Sequence, residues 1–182
     1  MHRMRLLTVG IVVAVSLGAG TTALAPLALA SAARPAGTGS FHSWRAAQRA
    51  AGFGLYAPGR TDGLRPGGLI IVDRCQVTGK LSKRDVFAGY GSFLGRELSI
   101  AQNNSGGPCG NFGEARRLAT VRVMGRRATL YGVCGRHLGP PCSSRKITLY
   151  LTWTKHGKYY EASSHNERPA KLVGFARSLR PV

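Results

Sequence analysis

The stretch ATVRVMGRRATLYGV, residues 119–133, alternates apolar and polar side chains on either side of a central glycine. Ala119, Val121 and Val123 point one way, and Thr120 and Arg122 the other. Gly125-Arg126 fits a two-residue Gly-X hairpin turn. After it, Ala128, Leu130 and Gly132 share one face, while Thr129, Tyr131 and Val133 share the opposite one. Successive side chains of a strand project to opposite sides, so this period of two describes antiparallel strands with one face in the core. The stretch ITLYLTWTKHGKYYEASS, residues 147–164, repeats the pattern. Ile147, Leu149, Leu151 and Trp153 alternate with Thr148, Tyr150, Thr152 and Thr154, His156-Gly157 supplies the next tight turn, and Tyr159 to Ser163 returns. The two stretches together predict an antiparallel β-meander.

Upstream, Leu69-Ile70-Ile71-Val72 is a continuous apolar run that suits a buried strand. Val86–Phe93 and Glu97–Gln102 are further strand candidates, and Phe53–Tyr56 is a short one stopped by Pro58-Gly59. Residues 103–113 carry Asn, Gly and Pro and read as loop. Helices are expected at both ends of the sheet. Ser43 can cap one in which Trp44, Ala47 and Ala51 fall on one face and Gly52 ends it. Pro169 opens another, with Leu172, Phe175, Ala176 and Leu179 on one face and Pro181 as its stop. An antiparallel sheet with segregated helices is an α+β domain.

The first thirty residues have a separate character. Arg3 and Arg5 precede an apolar run from Leu6 to Leu17, and small residues then lead to Ala28-Leu29-Ala30. That order reads as a signal peptide, cut after Ala30 or after Ala32. Residues 31–40 read as a flexible leader and 41–182 as one domain, with no later segment apolar and long enough to span a membrane. Secretion puts the chain in an oxidising setting, where Cys75, Cys109, Cys134 and Cys142 are expected to form disulfides. Four cysteines allow three pairings. The Gly/Pro-rich segment between Cys134 and Cys142 favours joining those two, which leaves Cys75 with Cys109.

The order of elements from Trp44 to Leu179 resembles a known group. A helix leads to Gly52-Phe53-Gly54-Leu55-Tyr56-Ala57-Pro58, a Tyr-containing strand leads to Leu98-Ser99-Ile100-Ala101-Gln102, and after a hairpin a strand ending Leu151-Thr152-Trp153 precedes a Gly turn with Tyr159-Tyr160. A closing helix ends Phe175-Ala176-Arg177-Ser178-Leu179. The pattern is similar to exported bacterial domains of unknown function associated with the outer side of anti-sigma factors, whose sheets are lipoprotein-carrier-like. The resemblance implies an α+β fold with a curved antiparallel sheet, allows a role toward another exported protein, and carries over no catalytic residue.

Chemical motifs are sparse. Cys109, Cys134, His137 and Cys142 contain the ligand types of a zinc site, but no C-x-x-C supports one and export favours oxidation. G-x-S-x-G, H-E-x-x-H and phosphate-loop spacings are absent, so no metal or cofactor is expected. The seven acids, Asp62, Asp73, Asp85, Glu97, Glu114, Glu161 and Glu167, are dispersed, and surface ion pairing is their expected role. A hydrolase would need two of them to face each other.

Charge is the outward-pointing feature. Of 26 Lys and Arg residues, two lie in the signal peptide, and 24 against seven acids leave +17 on the mature chain. Arg116, Arg117, Arg122, Arg126, Arg127 and Arg136 lie in one short stretch without an acid, and Tyr131 and Tyr150 can add stacking surface beside them. Such a patch attracts wall polymers, anionic lipid head groups or released DNA. The sequence therefore predicts a secreted or wall-associated, non-enzymatic binding domain of the bacterial envelope that contacts a polyanion. The alternatives are a small extracellular hydrolase acting on cell-wall material and an accessory or sensor domain that binds another exported protein.

Overall fold

In a computed structural model, residues 37–75, 83–92, 94–109, 115–134 and 147–182 are described. Their elements run β1 (Gly39–Phe41), α1 (Trp44–Ala51), β2 (Tyr56–Pro58), β3 (Ile70–Arg74), β4 (Arg84–Gly91), β5 (Glu97–Asn103), β6 (Ala115–Val123), β7 (Arg126–Cys134), β8 (Ile147–Lys155), β9 (Lys158–His165), α2 (Pro169–Arg177) and β10 (Leu179–Pro181). Eight strands form one antiparallel sheet in the order β1-β3-β4-β5-β9-β8-β7-β6, and β2 with β10 makes a separate ribbon. The sheet is two meanders, β3-β4-β5 and β6 to β9, joined where β9 pairs with β5. No helix among the described residues is long and apolar enough to cross a membrane.

The alternation read from residues 119–133 and 147–164 sets the two faces. Val86, Tyr90, Leu98, Ile100, Leu130, Leu151, Trp153, Tyr160 and Ala162 point into one core, where they meet Ala47 and Ala51 of α1 and Leu172, Phe175 and Ala176 of α2. Trp153 stacks on Tyr160 at 5.4 Å between ring centroids, and Tyr90 meets Phe175 edge to face. Gln102 is fully buried on this side, where apolar residues would be the default. Its Nε2 donates to Tyr56 O at 2.7 Å and its Oε1 accepts from Tyr56 N at 2.8 Å, so both amide groups are satisfied and β2 is tied to the sheet.

Several elements differ from the sequence reading. The hairpin turn is Met124-Gly125, both at positive φ, with Val123 opposite Arg126, so it lies one residue earlier than Gly125-Arg126. In Leu69–Val72 only Ile70 and Val72 are buried, while Leu69 and Ile71 are 41% and 45% exposed, because β3 has a core on one side only. The short strand is Tyr56–Pro58 instead of Phe53–Tyr56. The last helix stops at Arg177, and Leu179 is buried in β10, where it pairs with Pro58. At the end of that helix the Ser178 hydroxyl donates to Phe175 O and accepts from Arg60 N.

Cys75 and Cys109 form a disulfide across 34 residues that fastens the loop after β5 to the end of β3. The expected Cys134–Cys142 bridge, Arg136 and His137 lie outside the described residues.

Candidate polyanion interface

The arginines predicted to bind lie on β6 and β7. Arg116, Arg117, Arg122, Arg126 and Arg127 are all exposed. Strand parity divides them. Arg122 stands directly opposite Arg127 and Arg117 opposite Tyr131, so these three arginines share the face turned away from the helices. Arg116, opposite Gly132, and Arg126, opposite Val123, belong to the other parity. Arg122, Arg126 and Arg127 line an open depression of about 480 Å³ with Thr120, Val121 and Gly125.

No ion pair reaches these arginines from any described residue. Ion pairs among the described residues join Arg60 and Lys171 to Asp62, and Arg96 to Glu167. Like charges directly opposite on a sheet destabilise it by a few tenths of a kcal/mol up to about 1 kcal/mol. The Arg122–Arg127 pair carries that cost without a described counter-charge. Arg117 Nη2 donates to Thr120 Oγ1 at 2.8 Å, which turns its guanidinium along the strand. Arg177 Nε donates to Arg122 O at 3.0 Å, capping a carbonyl of the edge strand. That contact, the bulge between Arg117 and Ala119, and the arginines themselves discourage another strand from pairing with β6.

Tyr131 and Tyr150, which the sequence placed beside the patch, are cross-strand partners. One row of partners runs Gly89, Ser99, Ser163, Tyr150, Tyr131, Arg117. The next runs Ile71, Phe87, Ala101, Glu161, Thr152, Thr129, Thr120. This second face therefore grades from exposed apolar side chains at β3 and β4, through small and hydroxyl-bearing residues, to arginine at β6. At its apolar end Leu69, Ile71 and Phe87 border a recess of about 430 Å³.

Two acids on this face were not singled out by the sequence. Asp62 and Glu167 do pair at the surface, but Asp85 and Glu161 lie on the sheet, two strands apart and diagonal to each other across β5. Burial pushes Asp85 up to about 6, with the charge of Asp73 opposite it adding to the rise. Burial, and then the charge of Asp85, pushes Glu161 up to about 7. Tyr159, two residues from Glu161 on β9 and across Asn103 from Asp85, is raised by burial and by Glu161, and shares a side-chain hydrogen bond with Thr152. The signal that could have found this pair is the alternation itself, which puts Asp85 and Glu161 on the face opposite Val86 and Ala162. Their proximity depends on β5 pairing with β9, which no local pattern encodes.

Among the described residues no group of three or more His, Cys, Asp or Glu could hold a metal ion. Cys109 is bonded to Cys75, so it supplies no thiolate to a zinc site. Comparison of the chain with family models, curated proteins and solved structures returned no match.

Proposed function

We propose that the protein is an exported, non-enzymatic binding domain of the bacterial envelope that engages an anionic polymer through the arginine face of the β6–β7 hairpin. The observation that carries this reading is the Arg122–Arg127 pair: two exposed guanidinium groups directly opposite each other with no acid among the described residues to balance them. An anionic group between them would turn a repulsive pair into a bidentate clamp.

The test is titration of the protein with inorganic polyphosphate at several salt concentrations. Arg122→Ala with Arg127→Ala is expected to weaken binding about tenfold and to reduce the slope of log affinity against log salt by about two, one for each arginine. Arg45 and Arg49, exposed on α1, serve as the control. Equal losses from Arg45→Ala with Arg49→Ala would reduce the interaction to general charge attraction and sink the proposal.

The Asp85–Glu161 pair favours a second reading, a small extracellular hydrolase of cell-wall material. Two carboxyl groups with raised pKa values on one face are the usual equipment for general acid and base work. This reading expects the protein to solubilise purified cell wall and Glu161→Gln to abolish that activity. Wall material left intact by the wild-type protein would end it.

A further inference from the structure

The polar face of the hairpin carries more than charge. Along β6 and β7 it presents three successive rows: Arg122 with Arg127, Thr120 with Thr129, and Arg117 with Tyr131. Arg127 and Tyr131 are four residues apart on one strand, so the outer rows are about 13 Å apart, with the hydroxyl row midway. The hydroxyl row continues inward through Thr152 to Glu161, and the Tyr131 row through Tyr150 to Ser163 and Ser99. Arg117 is hydrogen-bonded to Thr120, which holds the guanidinium beside the threonines.

A surface that bound only charge would gain most from unbroken arginine. Here threonine hydroxyls, able to donate and accept, interrupt the basic rows. Tyrosine rings beside them offer flat apolar area with a polar tip, which suits the C–H faces of a polyol or sugar. Resting on the polyanion reading above, we propose that this face recognises a polymer in which phosphodiester groups alternate with hydroxylated units, a polyol phosphate or glycosyl phosphate chain. The phosphates meet Arg122, Arg127 and Arg117, and the hydroxyl groups between them meet Thr120 and Thr129. The raised pKa of Glu161 is in keeping with this, since a carboxyl group about half protonated at neutrality repels the chain less than a fully ionised one.

The experiment compares poly(glycerol phosphate), inorganic polyphosphate and oligodeoxythymidylate of matched charge number at one salt concentration, with wild-type protein and with Thr120→Val plus Thr129→Val. Valine keeps the β-branched shape, and a thermal melt verifies that the variant folds. Wild type is expected to bind poly(glycerol phosphate) about tenfold more tightly than polyphosphate, and the double variant to bind the two polymers with equal affinity. Equal affinity for the two polymers in wild type, or a preference that survives in the variant, overturns the inference and leaves the polyanion reading standing. Tightest binding to oligodeoxythymidylate, lost in Tyr131→Leu, also overturns it and makes the face a nucleic-acid platform. Binding of none of the three polymers removes both readings.

Discussion

Glu161 faces Thr152 on one side and Ala101 on the other, with Tyr159 and Ser163 along its own strand and Asp85 across β5. Its carboxyl group, ordinarily near 4.5, titrates at about 7, and that of Asp85, ordinarily near 3.8, at about 6. Both values are raised on folding, so between the unfolded and folded values the native state binds more protons than the unfolded chain. The stability this supplies is fully present below about pH 4 and is lost as pH rises through about 7. Thermal melts are therefore expected to fall in midpoint from pH 4.5 to pH 7.5. Glu161→Gln should flatten the curve, and Asp85→Asn should remove a smaller part of it. A curve with the same slope in both variants would mean that the pH dependence arises elsewhere, for instance from overall charge. Neither carboxyl group was legible as special in the sequence. Each sits in an ordinary alternating strand, and what raises its pKa is supplied by strands far away along the chain.

At the scale of elements, the alternation in residues 119–133 and 147–164 correctly assigned inward and outward faces even where the turn was misplaced. Face assignment depends on parity alone. The turn depends on whether a single glycine occupies the first or second central position, and both are allowed in two-residue hairpins. Here Met124 takes the first place at φ 50° and Gly125 the second at φ 75°. The reading of Leu69–Val72 went wrong for a complementary reason. A continuous apolar run is compatible with burial on both faces, but β3 lies near the sheet's edge, with only three-residue β1 beyond it. Leu179 fits a helical stripe as well as it fits β10, and the choice was made by tertiary pairing with β2. Of the candidate site, the arginines and the nearness of Tyr131 and Tyr150 to them were legible, whereas the pairing of those two tyrosines was not. The alternation of basic and hydroxyl rows was not, because it needs the β6–β7 register and its bulge.

On the scale of the whole molecule, the Cys75–Cys109 bridge closes a loop of 34 residues that contains β4 and β5. In the chain-entropy account a closure of this length is worth about 4 kcal/mol, through restriction of the unfolded chain. Cys75→Ser with Cys109→Ser is expected to lower the melting midpoint by about 10 °C in a domain of this size. A midpoint within a degree or two of wild type would show that the bridge adds little beyond what the core and the β4–β5 pairing already hold.

The position of β9 has a consequence for how the chain is made. The strand at the seam between the two meanders is Lys158–His165, and only α2 and β10 follow it. A chain delivered through a narrow channel with its amino terminus leading would present β3, β4 and β5 long before their partner emerged, with one edge of β5 bare. The later meander would wait on the same strand. Completion of the sheet would then wait until Lys158–His165 had emerged, which would keep the two half-sheets apart during any such passage. A nonsense codon near residue 157 would leave two half-sheets with no strand to join them.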